Sequence, residues 1–156
     1  MMIAHTGAMA GTACKSNHHA PSKPAIRVLI YLSIATLHDD ATGSAKVLAD
    51  SVIVPNRARG ISGLLLGNGC SFMQLIEGAP EAVAVLYDTI SRDPRHRAVE
   101  PVLDRVAIQR TFPDSAMLGL DLVASPATRR ASIEGVLPAR IDADIRTMLL
   151  GFSVFD

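Results

Sequence analysis

The order of apolar and polar positions predicts strands and helices in alternation along the chain. Residues 26–34 (IRVLIYLSI) form a run of β-branched and large apolar side chains, which is typical of a buried strand. A period of two places the polar atoms of this strand on one face, with Leu29, Tyr31 and Ser33. The opposite face is wholly aliphatic and consists of Val28, Ile30, Leu32 and Ile34.

Two segments have the spacing of amphipathic helices. The first ends at Gly60 and repeats at helical intervals through Ala45, Leu48, Ala49, Val52 and Asn56. The second opens at Gly78-Ala79-Pro80, because a proline at an early helical position gives up no hydrogen bond. Asp93-Pro94 ends this helix, and its apolar stripe consists of Val83, Leu86, Tyr87 and Ile90.

Four further strands are predicted, in two pairs. Ile61–Leu66 and Ser71–Ile76 flank Gly67-Asn68-Gly69-Cys70, in which the Asn-Gly pair is a strong hairpin signal. Pro101–Phe112 and Ala116–Val123 supply the other two strands, with Phe112-Pro113-Asp114 as the turn. The predicted order is therefore strand, helix, strand, strand, helix, strand, strand.

This order predicts an α+β fold, a ferredoxin-like sandwich (βαββαββ) with both helices on one face of a single sheet. The aliphatic face of the first strand is then left open and needs a cover. Additional helices are expected at the C-terminus, where a one-sided helical stripe consists of Ile141, Ile145, Met148, Leu149 and Phe152. This stripe can pack back onto the sheet or lie across a dimer interface, and the sequence leaves both open.

Composition narrows the class of protein. With 49% hydrophobic and 19% charged residues among 156, the chain can build a core and is not a disordered chain. Fifteen basic residues balance fifteen acidic ones, which argues against a generic attraction to nucleic acid or to a membrane surface. No apolar run approaches the length of about 20 residues that a membrane helix needs, so a cytoplasmic protein is expected.

The N-terminal residues 1–24 read as a flexible tail, followed by a domain over residues 25–124 and a helical extension over 125–156. The chain has only two cysteines, which is too few for a disulfide framework. Cys14, His18 and His19 lie together in the tail, but no second cluster of ligands completes a tetrahedral site, so no metal is predicted.

Gln74 is the informative residue, because it interrupts an apolar strand. A buried side-chain amide without partners costs about 2 to 7 kcal/mol, so Gln74 should have partners or lie near solvent. For an arbitrary sequence the ordinary interpretation is an exposed or strand-paired glutamine. For Tyr31 it is likewise a core tyrosine whose hydroxyl lies at a strand end.

Five motifs in order change that interpretation, since together they resemble the BLUF family, the sensors of blue light using flavin. The resemblance covers about Ile26 to Leu122. Its motifs are Leu29-Ile30-Tyr31-Leu32-Ser33, Asn56 with Gly60-Ile61-Ser62-Gly63-Leu64-Leu65, Phe72-Met73-Gln74-Leu75-Ile76-Glu77-Gly78, Asp93-Pro94-Arg95-His96-Arg97, and Phe112-Pro113-Asp114 leading to Met117.

The resemblance implies a ferredoxin-like domain that holds a flavin noncovalently between its two helices. FAD is the implied cofactor, with FMN or riboflavin as alternatives. Tyr31 and Gln74 match the photoactive residues, and Ser33 and Met117 match tuning positions beside them. The other residues assigned to flavin binding are Leu48, Val52, Asn56, Ile90, Asp93, Arg95 and His96.

The mechanism implied by the family is photochemical and turns over no substrate. Blue light excites the flavin, and Tyr31 donates an electron and, through Gln74, a proton. After recombination Gln74 has an altered hydrogen bond to the flavin, which shifts the absorption to the red. The signal is then expected to pass through the last strand and the C-terminal segment to a separate, unidentified partner, in a homo-oligomer.

Three positions depart from the family pattern. Ser62 replaces the usual threonine, Pro55 stands inside the first helix where it is expected to kink it, and Ser115 replaces a frequent tryptophan. Without tryptophan in the chain, and with Tyr87 on the stripe of the second helix, Tyr31 is expected to be the one aromatic donor beside the flavin. Two rivals remain: a small enzyme that uses Asn56 and Arg95 on an acyl phosphate or other anion, and a flavin-free interaction module.

Overall fold

A computed structural model describes residues 24–36 and 44–155. The predicted tail, with Cys14, His18 and His19, lies outside the described residues apart from Pro24. The strands are β1 (Ile26–Ala35), β2 (Ser62–Gly67), β3 (Ser71–Gly78), β4 (His96–Ala107) and β5 (Leu118–Asp121). The helices are α1 (Ala45–Ala58), α2 (Pro80–Ser91), α3 (Pro126–Val136) and α4 (Ala143–Gly151), and a 3₁₀ turn follows over Phe152–Val154.

The strands form one sheet in the order β4-β1-β3-β2-β5. The first four are antiparallel to their neighbours, as the ferredoxin-like prediction requires, and β5 is added parallel to β2. In the central pair, Tyr31 of β1 lies directly opposite Gln74 of β3. The register of the sheet therefore brings together the two residues that the sequence singles out.

The two faces of the sheet carry separate cores. Leu29 and Tyr31 belong to the core on the face covered by α1 and α2, whereas Val28 and Ile30 belong to the core beneath α3 and α4. The alternation predicted for the first strand is therefore confirmed. On the second face Leu32 is partly buried, and Ile34, at the end of β1, is exposed, with 37% of its surface accessible.

The C-terminal stripe packs back onto the sheet of its own chain. Ile145, Leu149 and Phe152 are buried against the aliphatic face, and Ile141 and Met148 pack at the margin of the same core. Of the two covers that the sequence allowed, the structure shows the intramolecular one. The apolar stripe therefore no longer argues for a dimer.

The fourth strand is where the sequence prediction was wrong. It was predicted over Pro101–Phe112, whereas β4 runs from His96 to Ala107. β4 is an edge strand in which none of the residues is fully buried and many are exposed, so its hydrophobic signal is weak. Two irregularities in its pairing with β1, one of them near Ala98 with its positive φ of 52°, disturb the period further.

The last strand and α1 are joined closely. Predicted over Ala116–Val123, β5 is shorter, and its last residue, Asp121, accepts hydrogen bonds from Ser44 Oγ and the Ala45 amide, both at 2.7 Å. These bonds hold the start of α1. Pro55 does not end this helix, which continues to Ala58.

Candidate functional site

A cleft that is partly open to solvent lies between α1 and α2 on the sheet. It is lined by all nine residues that the sequence assigns to flavin binding: Tyr31, Leu48, Val52, Asn56, Gln74, Ile90, Asp93, Arg95 and His96. Three apolar lining residues were not predicted, namely Leu65, Phe72 and Leu86. Phe72 lies two residues before Gln74 on β3, so the period of two could have placed it on the same face.

A chain of hydrogen bonds runs through the sheet at the floor of the cleft. The Tyr31 hydroxyl donates to Gln74 Oε1, and Gln74 Nε2 donates to Met117 Sδ at 3.4 Å. All three side chains are buried. The amide that looked anomalous in the sequence is therefore satisfied on both of its ends, in agreement with the cost of leaving it unpaired.

The Tyr31 phenol is held in its neutral form. Burial raises the pKa of Tyr31 far above its ordinary value, and the nearby Tyr87 and Asp93 raise the pKa further. A buried phenolate would lose its hydration, so the proton stays on Tyr31 in the resting state. The hydroxyl is consequently a hydrogen-bond donor, and its proton leaves only when the phenol is made more acidic.

Asp93 and Arg95 form one unit at the rim of the cleft. The Arg95 Nη2 atom lies 2.5 Å from Asp93 Oδ2, and Arg95 Nε lies 3.0 Å from both carboxylate oxygens. Hydrogen bonding to Arg95 lowers the pKa of Asp93 below its usual range. The pair is therefore ionised and close to neutral overall, which leaves little net charge to attract an anion.

Asn56 projects from the last turn of α1. It is buried, and its Nδ2 donates to the Ala116 carbonyl at 3.2 Å. This bond ties the wall of the cleft to the residue before Met117. Pro55 is exposed on the other side of the helix, so the departure from the family pattern does not keep Asn56 out of the cleft.

Ser33 Oγ and His96 Nδ1 are buried and have no hydrogen-bond partner among the described residues. His96 itself lines the cleft, as do the amide side chains of Asn56 and Gln74, which are polar groups that a ligand edge can contact. The nearby Leu48 and Val52 supply apolar walls. This combination suits a ligand with flat apolar faces and a polar edge.

Residues 26–118 match the family model described as "BLUF: Sensors of blue-light using FAD", which is more than half of the chain. The chain belongs to the BLUF family. BLUF domains are photosensors that bind flavin, so the prediction of a flavin-binding, light-sensing domain is confirmed.

A curated BLUF relative is the "Blue light- and temperature-regulated antirepressor BluF" of Escherichia coli (strain K12), 35% identical over 100 residues. That match takes in 62% of this chain and 24% of the relative. Photoactivated adenylate cyclase subunit alpha of Euglena gracilis is 40% identical over 74 residues, which is 46% of this chain and 7% of the relative. The chain thus spans a quarter or less of these relatives.

Solved BLUF structures agree with the fold. The structure of Klebsiella pneumoniae BlrP1 with FMN and cyclic diGMP has a TM-score of 0.72 and 28% identity, over 83% of this chain and 35% of that one. "BlrB - a BLUF protein, dark state structure" has a TM-score of 0.58 and 26% identity, over 85% of this chain and 96% of that one. The ferredoxin-like α+β prediction is confirmed.

The cleft fits the flavin that BLUF membership implies. An isoalloxazine ring has two apolar faces and one edge of carbonyls and nitrogens. Leu48 and Ile90, from α1 and α2, supply walls for the faces, and the side-chain amides of Asn56 and Gln74 supply polar partners for the edge. Apolar walls with a few amide groups match a ligand that carries both donors and acceptors on one edge.

The neighbourhood of Tyr31 differs from the sequence prediction in one respect. Tyr87 packs on Tyr31, with ring centroids 5.9 Å apart and planes tilted by 59°, so Tyr31 is not an isolated aromatic. Tyr87 does not line the cleft, and its hydroxyl lies 3.5 Å from the Val99 carbonyl. Tyr31 is therefore the tyrosine that lines the cleft, and Tyr87 packs beside it.

His96 makes the stability of the domain depend on pH. Burial is the largest influence and lowers the pKa of His96 below 6.5, against an opposing effect of Asp93 and a smaller assisting effect of Arg95. Below pH 6.5 the unfolded chain therefore binds a proton that the folded domain does not, and the stability falls as the pH decreases. We expect a loss below about 1 kcal/mol, because the half-buried ring keeps part of its hydration.

The measurement is the free energy of urea unfolding of the purified protein between pH 7.5 and pH 5, with His96→Gln beside the wild type. The variant should lose the slope in this window. Asp104→Asn is the control, because hydrogen bonding to Arg27 lowers the pKa of Asp104 from an ordinary value near 3.8, so this residue affects stability only at more acidic pH. A slope that survives in His96→Gln contradicts the assignment.

Proposed function

We propose that this chain is a blue-light receptor in which Tyr31 and Gln74 are the photoactive pair. The observation that carries the proposal is the buried hydrogen bond from the Tyr31 hydroxyl to Gln74 Oε1 inside the cleft. A tyrosine held neutral by burial keeps its proton until its ring loses an electron. The acceptor for that proton is already in place.

When bound, the flavin supplies a blue-light absorber that becomes a strong electron acceptor on excitation. Tyr31 is the electron donor, and its proton passes from Oη to Gln74 Oε1. Gln74 can change its hydrogen bonding because its Nε2 end bonds only to a thioether sulfur, a weak acceptor. Its reorientation is the proposed switch, with Met117 and Ser33 as tuning residues beside it.

Anion chemistry is the weaker alternative. An enzyme acting on an acyl phosphate needs a cation free to meet the substrate, but the Arg95 guanidinium already forms a bidentate pair with Asp93. The geometry therefore supports the photoreceptor over that rival.

A single rearranged hydrogen bond cannot carry the signal alone. Its net worth is about 0.5 to 1.5 kcal/mol, whereas moving a two-state element from mostly off to mostly on takes about 5.5 kcal/mol. We propose that the change at Gln74 is amplified through Met117 into β5 and the segment 125–156, where many contacts can shift together. A separate partner protein then binds the C-terminal segment and responds to its change. The BLUF domain itself spans residues 25–124, and the proposed protein is a cytoplasmic homo-oligomer.

Hydrogen bonds link the last strand of the proposed route to the C-terminal end of the described chain. Leu122, just after β5, donates its amide proton to the Gly67 carbonyl at 2.7 Å. The next residue in that hairpin, Asn68, donates from Nδ2 to the Phe155 carbonyl at 2.8 Å. The end of β5 and the end of the described chain thus meet at the same hairpin.

The test is the absorption spectrum of the purified protein in darkness and under blue light. The expected result is a yellow protein whose flavin bands shift to the red and return in the dark, with FAD as the flavin released on denaturation. A colourless protein, or a flavin spectrum that light does not change, would contradict the proposal. Release of FMN or riboflavin would correct the cofactor alone.

Within residues 24–36 and 44–155, no helix is long and apolar enough to cross a membrane.

A further inference from the structure

A buried carboxylate lies near the photoactive pair, on the other face of the sheet. Glu77 is fully buried on β3, three residues after Gln74, and faces the side covered by α3 and α4. Its oxygens accept hydrogen bonds from the amides of Thr111 and Phe112 at 2.7 and 2.5 Å and from Ser62 Oγ at 3.1 Å. A carboxylate that is excluded from water is costly to bury unless protein donors replace the water. Losing any of these donors would therefore be unfavourable, and the bonds hold Thr111 and Phe112 in place.

The amides that Glu77 binds belong to the connector, residues 108–117 between β4 and β5. Arg110 anchors the same part of the connector through donors to Gly60 O at 2.6 Å, Ser62 Oγ at 2.8 Å and Glu77 O at 2.9 Å. The connector forms no helix or strand of its own. Its path across the sheet therefore depends on these anchors.

The connector ends at Met117, the partner of Gln74. Between the anchors and Met117, the Ser115 carbonyl accepts from the Gly63 amide at 3.0 Å and the Ala116 carbonyl accepts from Asn56 Nδ2. Met117 Sδ then receives the hydrogen bond from Gln74 Nε2. Glu77 thus fixes the start of the segment whose end sets the environment of Gln74.

We infer that Glu77 is a positioning residue for the photoreaction, which it serves by holding the connector so that Met117 lies against Gln74. The inference rests on the proposed roles of Tyr31 and Gln74. Because Glu77 and Gln74 are on the same strand, the anchor and the switch share one rigid element. A displacement of Gln74 relative to Met117 is therefore resisted by the bonds of Glu77.

The test is Glu77→Gln in the full chain, which keeps the shape but replaces one acceptor oxygen with an NH₂ group facing amide donors. The expected result is a protein that binds flavin, has a displaced dark absorption maximum, and recovers from illumination about fivefold faster or slower than the wild type, the size expected from one altered hydrogen bond. Arg110→Gln, at the less buried end of the same cluster, should change both readouts in the same direction.

Ser153→Ala is the matched control, because it deletes a buried hydroxyl on the same side of the sheet that bonds only to the Leu150 carbonyl. It should leave the dark spectrum and the recovery unchanged. Wild-type spectra and recovery in both Glu77→Gln and Arg110→Gln would overturn the inference while the photoreceptor proposal stands. An equal change of the dark spectrum and of the recovery rate in Ser153→Ala would also overturn the inference, because both readouts would then respond to any weakening of this core. A wild-type protein without any light response would instead refute the proposed function.

Discussion

A Tyr31→Phe variant is expected to bind flavin and to lose its spectral response to blue light. The substitution removes only the hydroxyl, which is the group that donates to Gln74 Oε1. The ring keeps its packing against Tyr87 and His96, so the cleft keeps its shape. Since a positioned proton donor is worth on the order of 100-fold or more, the quantum yield of the shift should fall by at least that factor. Difference spectra under calibrated illumination measure it.

Tyr87→Phe is the matched control for this variant. It makes the same chemical change on the neighbouring ring, but the Tyr87 hydroxyl is directed toward the Val99 carbonyl and not into the cleft. This variant should keep the full shift. If Tyr31→Phe retained the shift and Tyr87→Phe lost it, the donor assignment would have to move to Tyr87.

Gly119→Ala is expected to destabilise the domain and to impair flavin binding together. A Cβ at this position would lie 2.6 Å from both the Ala45 carbonyl oxygen and Lys46 Cα, and 2.7 Å from Ala49 Cβ. Backbone atoms cannot yield as a flexible side chain can, so α1 must move away from β5. Overpacking of this kind costs about 1 to 3 kcal/mol, and here the displaced helix also carries Leu48, Val52 and Asn56 of the cleft.

Urea unfolding and flavin occupancy after purification measure the two effects. Gly135→Ala is the control, because it lies in α3 and a Cβ there meets nothing within 4 Å. That substitution should stabilise the protein by up to about 1 kcal/mol through helix propensity and leave the flavin content unchanged. Normal stability and flavin content in Gly119→Ala would show that α1 is not held as closely as the structure indicates.

Much of the fold could be predicted because its central strands are buried on both faces. In β1 the alternation assigned Leu29 and Tyr31 to one core and Val28 and Ile30 to the other, and the structure agrees. The edge strand β4 could not be delimited this way. Many of its residues face solvent, and irregular pairing near Ala98 interrupts the period that would have marked its start.

Some residues of the site could be predicted from the sequence, and others could not. Gln74 stood out because an amide in an apolar strand needs partners, and the structure shows Tyr31 and Met117 as those partners. Glu77 gave no comparable signal, since two of its three partners are backbone amides, which have no signature in a sequence. The contact of Tyr87 with Tyr31 depends on how α2 crosses the sheet, which spacing along one helix does not specify.

The carboxylate of Asp121 couples the last strand to the cleft. It fastens the end of β5 to the first turn of the helix that forms one wall of the cleft. On the proposed signal route, a partner that binds the displaced β5 and a flavin bound in the cleft must change each other's affinity by the same factor, since coupling between two sites is symmetric. We therefore expect such a partner to alter how tightly the domain retains its flavin.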